Sequence, residues 1–381
     1  MNIDKTISSD HKWFYNLDGL RFLAAVLVIL GHIEIIKRDF NLPSLYHYNF
    51  FTNAGPLAVT FFFVLSGFLI SYLLMQEQQK KELVNKRIDL LGFYRKRILR
   101  IWPLYYVLVL LTFLVFPHII FFQYPGYQNN FLSTNSDALL LYLTFCPNLS
   151  GYLYGVVLFL GQIWSLGVEE FFYLFFPIGL HFVSTKNNLR YFLVLIIASI
   201  TLTAVSKFWC SAGDPNLSLG CIYISRYRIY AFALGALAAY SYIKMQNNSL
   251  ILKNKKVLAS TGYVLLLLSA VMLIGGVTFS SLTHPVYAFI FAFLIFSITI
   301  SNTKIAFLNN RVIVYFGKIS YGIYMLHPLA IFICMRLFYF DTGNNFLDVV
   351  IFDAMSIVIV IFFAIISYTF LEKPFLRMRK R

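Results

Sequence analysis

Apolar segments of about 20 residues recur along nearly the whole chain, which is the length an α-helix needs to cross a lipid bilayer. Hydrophobic residues make up 59% of the sequence and charged residues only 12%, whereas a soluble domain contains about 25% charged residues. A soluble protein of this composition could not cover its surface with polar groups. We therefore predict an all-α polytopic membrane protein with about ten transmembrane helices, folded as one domain over residues 1–381.

The distribution of positive charge predicts the orientation of these helices. The net charge is +15, yet no Lys or Arg occurs in residues 101–185, and the cations form short clusters between apolar segments. Cytoplasmic loops hold the cations in membrane proteins, so we expect both termini in the cytoplasm. A nucleic-acid-binding protein would instead carry its basic residues on one polar face. We expect the lipid bilayer as a partner and no nucleic acid.

Hydropathy gives approximate bounds for the helices. They are 17–36, 56–75, from 101 onward, 162–183, a fifth before residue 210, 225–243, a hairpin with its turn near 283–285, 319–339 and 349–370. The apolar stretch 138–146 is too short to span, so we expect a re-entrant or surface helix there. Cys210 and Cys221 flank a loop predicted on the outer side, and the sequence leaves a disulfide between them open. No metal site is predicted.

The first predicted helix carries Arg21 and His32, eleven residues apart. This spacing is about three helical turns, so both side chains lie on one face, about 16 Å apart along the axis. A charged group at mid-membrane costs at least about 2.5–3.5 kcal/mol and therefore indicates a functional site. An alternative without a functional site explains the pair equally well: Arg21 extends to the lipid headgroups, and His32 forms a local hydrogen bond.

Three other predicted helices carry polar groups near their outer ends. Ser165, Glu169 and Tyr173 recur at every fourth residue of the fourth helix. An acidic residue there is also explained by the positive end of the helix dipole. Arg228 begins the sixth helix, and Tyr324 and His327 lie on the ninth. We expect these groups to converge with His32 on one shared cavity.

Seven motifs in this order resemble the acyltransferase-3 family of bacterial membrane O-acyltransferases over nearly the whole chain. They are LDGLRFLAAVLVILGH, FFFVLSGFLI, FYRKRILRIWPLYY, WSLGVEEFFY, RIYAFALG, ISYGIYMLHP and LEKPF. The resemblance implies transfer of an acyl group, usually acetyl, from cytoplasmic acyl-CoA to a hydroxyl of a carbohydrate or lipid-linked glycan at the outer face. It also implies a multi-pass protein of the bacterial cytoplasmic membrane, with no permanently bound cofactor.

The resemblance assigns roles to individual residues. Arg21 and His32 match the family's Arg–ten residues–His motif, Glu169 matches an acid of its WSLxxE motif, and Arg228 stands seven residues before Gly235. We expect His32 to be the general base, because histidine's ordinary pKa lies near neutrality. Glu169 is expected to orient His32 or to act as a second acid or base.

The donor and acceptor sites are predicted from charge and position. Arginine binds phosphate in a bidentate manner, so Arg21, Arg97 and Arg100 are expected to hold acyl-CoA. Ordinary positive-inside charge explains Arg97 and Arg100 equally well. The expected substrate-binding residues are Trp164, Ser165, Arg228, Tyr324 and His327.

The chain departs from its relatives at Thr60, where an acid is common, and this indicates a subfamily. Some relatives fuse an esterase-like domain after the membrane part, and we expect this chain to be a stand-alone membrane domain. A transporter or flippase is the main alternative function, since intramembrane Arg, His and Glu also mark transport paths. The second alternative function is that of a membrane scaffold or sensor without catalytic activity. The sequence does not identify the acceptor.

Overall fold

The structure is a computed structural model that describes residues 14, 16–123, 136–210, 227–338 and 345–380. Within these ranges every regular element is helical, and nine helices are long and apolar enough to cross a membrane. The apolar helix Ile229–Met245 is shorter. The predicted all-α fold with about ten membrane helices is therefore confirmed. The possible Cys210–Cys221 disulfide falls on side chains outside the described part of the chain.

The α-helices are numbered in chain order. They are α1 (Leu17–Asp39), α2 (Asn49–Glu82), α3 (Leu90–Leu110), α4 (Ser136–Leu143), α5 (Pro147–Leu153), α6 (Trp164–Phe182), α7 (Asn188–Cys210), α8 (Ile229–Met245), α9 (Ser249–Lys253), α10 (Lys255–Ile274), α11 (Thr283–Ser301), α12 (Arg311–Lys318), α13 (Ser320–Phe338), α14 (Asn345–Ser367) and α15 (Lys373–Arg377). The π-helical segments Leu111–Val115 and Tyr368–Glu372 extend α3 and α14. The short helix α4 lies where the apolar stretch 138–146 predicted one.

The start of α3 corrects the sequence prediction. α3 begins at Leu90, and Asp89 caps it by accepting a hydrogen bond from the Gly92 amide at 2.9 Å. Hydropathy placed the start at residue 101 because the preceding turns are rich in Lys and Arg. Arg97 and Arg100 therefore lie three residues apart on one helix face, and not in a loop.

The turn between α10 and α11 is also displaced from its predicted position. Thr283, His284 and Pro285 form the first turn of α11, and the loop covers residues 275–282. Proline is tolerated in the first turn of a helix because its missing amide hydrogen has no intrahelical partner there.

α2 lies at the centre of the bundle and packs against α1, α8 and α11. It crosses α8 at two glycines. A Cβ atom on Gly67 would collide with the backbone of Phe232, and one on Gly235 would collide with the backbone of Val64 and Phe68. Small residues permit such close approach between membrane helices. These two close approaches fix α8 against α2.

A buried ion-pair cluster fixes the end of α1 that carries His32. The Lys37 ammonium pairs with Glu34 on the same helix and with Asp353 Oδ1 of α14 at 2.8 Å. Glu34 Oε2 also accepts hydrogen bonds from the Ser44 hydroxyl at 3.0 Å and from the Leu45 amide. Removing one partner of such a cluster would leave a buried charge, so α1 and α14 are held together at this level.

Candidate active site

A cavity of about 270 Å³ that is lined by both apolar and charged side chains lies between α1, α2, α3, α6 and α13. We name it the arginine cavity, because four arginines line it: Arg21, Arg97, Arg100 and Arg379. Its other polar lining groups are Ser66, Ser165, Glu169, Tyr173, Ser320, Tyr321 and Tyr324. Six of the sequence-predicted site residues thus meet here: Arg21, Arg97, Arg100, Ser165, Glu169 and Tyr324.

The polar stripe of α6 faces the arginine cavity, as its spacing predicted. Ser165, Glu169 and Tyr173 all line it. Glu169 Oε1 accepts hydrogen bonds from Ser66 Oγ of α2 at 2.6 Å and from the Tyr173 hydroxyl. Hydrogen bonds to an ionised acceptor are short and strong, so the carboxylate is held in one position between α2 and α6. The bond from Ser66 to Glu169 links α2 to α6, and no sequence pattern predicted it.

The arginines of the cavity are unequally neutralised. Arg21 Nη1 forms an ion pair with Asp18 Oδ1 at 2.7 Å. The central carbon of the Arg97 guanidinium lies 5.2 Å from the centroid of the Tyr173 ring, a cation–π contact. Among the described residues, no carboxylate forms an ion pair with Arg97 or Arg100. Within the described part of the chain, the cavity is lined by four arginines and one carboxylate, Glu169, so it suits an anionic ligand.

His32 lines a second, smaller cavity of about 100 Å³, which we name the histidine cavity. Its Nδ1 lies 2.9 Å from the Val28 carbonyl oxygen. A carbonyl only accepts, so Nδ1 carries the hydrogen and Nε2 of the neutral ring carries the lone pair. The local hydrogen bond considered for His32 is therefore present, and it sets the tautomer that a base needs.

His327 packs against His32, with the ring centroids 4.7 Å apart in an edge-to-face arrangement. Its Nδ1 lies 2.7 Å from the Tyr324 carbonyl oxygen, so its Nε2 also carries the lone pair. This Nε2 is buried and has no hydrogen-bond partner among the described residues. Buried polar atoms are nearly always paired, which makes His327 Nε2 a candidate functional atom.

A hydrogen-bonded wall stands between the two cavities. The Tyr324 hydroxyl lies 2.5 Å from Ser165 Oγ and 2.9 Å from the Gln162 carbonyl oxygen. Ser165 and Tyr324 line the arginine cavity, whereas Gln162 lines the histidine cavity. The Gln162 amide donates to the Met325 carbonyl at 2.8 Å and so ties the start of α6 to α13.

The structure corrects the prediction of one shared cavity. His32 and Glu169 line different cavities. His32 is bonded to the Val28 carbonyl, whereas Glu169 accepts hydrogen bonds from Ser66 and Tyr173. Glu169 does not orient His32 in this structure. The physical reason is that α6 places Ser165, one turn before Glu169, against Tyr324 of α13.

Arg228 lies in a third polar cluster. Its Nη1 donates to the Pro56 carbonyl at 3.0 Å and to Thr60 Oγ1 at 3.1 Å. The guanidinium carbon lies 5.5 Å from the Trp164 ring centroid. His284 Nδ1 lies 3.0 Å from the same Thr60 hydroxyl. Thr60, the predicted departure from the family pattern, is thus an acceptor for Arg228. No sequence pattern predicted the part of His284 in this cluster.

The acyltransferase domain family matches residues 14–370 of the chain. The chain belongs to this family. The resemblance predicted from the seven motifs is confirmed, and residues from five of the motifs line the two cavities of this acyltransferase-family chain.

Two relatives show what this acyltransferase-family chain is similar to. "O-acetyltransferase OatA" of Staphylococcus aureus strain NCTC 8325 is 26% identical over 382 residues, which cover 95% of this chain and 57% of the relative. The candidate O-acetyltransferase SACOL0978 of strain COL is 27% identical over 396 residues, covering 98% of this chain and 59% of the relative. The chain therefore spans less than two thirds of these relatives. No solved structure matches it.

Proposed function

We propose that the chain is a membrane O-acyltransferase that moves an acyl group, acetyl in the simplest case, from cytoplasmic acyl-CoA to a hydroxyl of a cell-surface carbohydrate or lipid-linked glycan. The family and the two O-acetyltransferase relatives support this proposal. One structural observation supports it: the arginine cavity and the cavity lined by His32 lie on the two sides of the contact between Ser165 and Tyr324. The protein would be a multi-pass protein of the bacterial cytoplasmic membrane.

The arginine cavity would receive the donor. Acyl-CoA carries pyrophosphate and phosphate groups, and arginine binds them with short charge-assisted hydrogen bonds. Arg97 and Arg100 suit this role because no carboxylate of the described residues pairs with them. Arg21, whose Asp18 partner already holds it, would act deeper, near the thioester.

His32 would act as the general base. The acceptor hydroxyl loses its proton to His32 Nε2 while its oxygen attacks the thioester carbonyl carbon. The carbon–sulfur bond then breaks, and the CoA sulfur leaves with the proton returned by the imidazolium. This step gives an ester and free CoA, and it needs the thioester and His32 to meet where the wall now stands. A positioned base contributes about 10²–10⁴-fold to the rate.

The remaining site residues would position the reactants. Glu169, bonded to Ser66 and Tyr173, lines the arginine cavity and would balance part of its positive charge. Ser165 and Tyr324 would contact the acyl group as it passes the wall. Trp164, Arg228 and His327 would contact the acceptor.

His32→Ala tests the proposal most directly. We expect transfer of labelled acetyl from acetyl-CoA in membrane vesicles to fall by about 10²–10⁴-fold, while the protein stays inserted. His181→Ala is a matched control, because His181 Nδ1 also bonds a backbone carbonyl, that of Ile88, at 3.1 Å. Full transfer by the His32→Ala variant would overturn the assignment.

Mass spectrometry of surface glycans from cells with and without the gene would identify the acceptor. The proposal expects an acyl ester that is lost with the gene. Movement of a glycan or small molecule across the membrane with no covalent product would instead favour the transporter or flippase.

A further inference from the structure

The fourth arginine of the arginine cavity comes from a part of the chain that the family match does not cover. The match ends at residue 370, and Arg379 lies nine residues later in the 3-10 turn Met378–Lys380. It nevertheless lines the cavity together with Arg97 and Arg100. The sequence motifs gave no reason to single it out among the basic residues that follow α14.

The backbone before Arg379 is held against the helix that carries the other two arginines. The π-helical segment Tyr368–Glu372 and α15 lead the chain from α14 to the side of α3. Glu372 is buried and accepts a hydrogen bond from Ser367 Oγ at 3.1 Å. Arg95 of α3 donates to the Met378 carbonyl, one residue before Arg379, at 3.5 Å. The position of Arg379 is therefore set by packing.

Three arginine side chains converge here. No ion pair joins Arg97, Arg100 or Arg379 to a carboxylate within the described ranges. Burial, together with the like charges of Arg100 and Arg97, lowers the pKa of Arg379 to about 10. Arg379 thus stays protonated at neutral pH in the face of this repulsion. An anion bound among the three guanidinium groups would relieve it.

We propose that Arg379 is a donor-binding residue that contacts a phosphate group of acyl-CoA at the arginine cavity. The proposal rests on the proposed function and adds a third phosphate ligand from outside the family's matched region. Arginine suits the position because its planar guanidinium binds phosphate in a bidentate manner, which a lysine ammonium does not. The acyl and pantetheine parts of the donor would then extend toward Tyr324 and the wall.

Binding of CoA to the purified full-length chain in lipid nanodiscs tests the proposal, with Kd measured by calorimetry. We expect Arg379→Gln to weaken binding by about ten-fold, as loss of one charge-assisted hydrogen bond does. Arg379→Lys keeps the charge and should lose less. Arg377→Gln is the matched control, since Arg377 is exposed on α15 and is not among the residues lining the cavity.

Two further binding measurements identify the chemical group that Arg379 contacts. Pantetheine lacks the nucleotide phosphates, so the wild-type chain and Arg379→Gln should bind it equally; a difference that persists would overturn the phosphate contact. Nanodiscs of phosphatidylcholine alone and with phosphatidylglycerol separate binding of CoA from binding of anionic lipid headgroups. A ten-fold loss in both lipids supports the proposal, whereas a loss that appears only with the anionic lipid assigns Arg379 to lipid headgroups and overturns it.

Failure of the Arg379 proposal can be distinguished from failure of the proposed donor site. If the wild-type chain binds CoA and Arg379→Gln binds it equally well, the role of Arg379 is overturned and the donor site stands. If the wild-type chain does not bind CoA in either lipid, the donor part of the proposed function is overturned, and the role of Arg379 with it. The thermal unfolding midpoint of each variant, compared with Arg377→Gln, shows that a change in Kd does not come from unfolding.

Discussion

The hydroxyl groups of Ser165 and Tyr324 lie 2.5 Å apart, and this contact between α6 and α13 closes the wall between the arginine cavity and the histidine cavity. A donor held by the arginines and a base on His32 cannot share a reacting carbon while the wall is closed. The two side chains are joined by hydroxyl contacts and no ion pair. Such contacts contribute about 0.5–1.5 kcal/mol each to stability.

Tyr324→Phe should weaken this wall. The variant loses the contacts to Ser165 and to the Gln162 carbonyl but keeps the ring, which packs against His327. Exclusion of water protects reactive intermediates from hydrolysis. We therefore expect the ratio of acceptor-independent CoA release to acyl transfer to rise several-fold, measured by thiol release from acetyl-CoA in vesicles with and without glycan acceptor.

Tyr321→Phe is the control for this prediction. Tyr321 also lines the arginine cavity, but its hydroxyl donates to the Ile101 carbonyl of α3 at 2.7 Å, away from the wall. The same change of ratio in both variants would show that any lost hydroxyl loosens the cavity, and that Tyr324 has no special part.

Arg97→Ala together with Arg100→Ala should raise the KM for acyl-CoA. Hydrogen bonds to charged groups contribute about 1.5–3 kcal/mol each, so we expect at least about a ten-fold increase, with a smaller change in kcat. Lys96→Ala, exposed on the same helix, removes a cation that does not line the cavity and should behave like the wild type. An unchanged KM in the double variant would leave Arg97 and Arg100 as ordinary positive-inside charge.

The sequence predicted relationships within a helix far better than those between helices. Ser165, Glu169 and Tyr173 line one cavity because a helix repeats every 3.6 residues, so their spacing alone fixes their common face. The His32–Glu169 contact depended on how α1, α6 and α13 pack, and no periodicity encodes that. Apolar composition also located the helices but not the amphipathic first turns of α3, where capping by Asp89 decides the start.

Sequence reasoning missed some residues for the same reason, namely that their contacts join different helices. Gln162 stands two residues before the WSLGVEE motif and reads as an interfacial residue at a helix entry. Its role in the wall depends on the Met325 carbonyl, which lies 163 residues later in the chain. The part of His284 likewise depends on a contact with Thr60, which lies 224 residues away in the chain.

His327→Phe should separate stability from activity. The phenyl ring conserves most of the volume, and the substitution removes the buried Nε2 that has no partner among the described residues. It also removes the bond from Nδ1 to the Tyr324 carbonyl at 2.7 Å. We expect the thermal unfolding midpoint in detergent to change little, because the two losses oppose each other. Acyl transfer should nevertheless fall strongly. Wild-type transfer by this variant would assign His327 to packing alone.

Gly235→Ala should disrupt the crossing of α8 over α2 that places Arg228 beside Thr60. The added methyl group would collide with the Val64 carbonyl, and backbone atoms of two packed helices cannot move as a flexible side chain can. Overpacking of this kind costs about 1–3 kcal/mol, so we expect a lower thermal unfolding midpoint and reduced transfer. Gly151→Ala in α5 is the control, because a methyl group there meets no atom within 4 Å. Alanine is also more favourable than glycine inside a helix. A Gly235→Ala variant as stable as Gly151→Ala would contradict the close approach of α2 and α8.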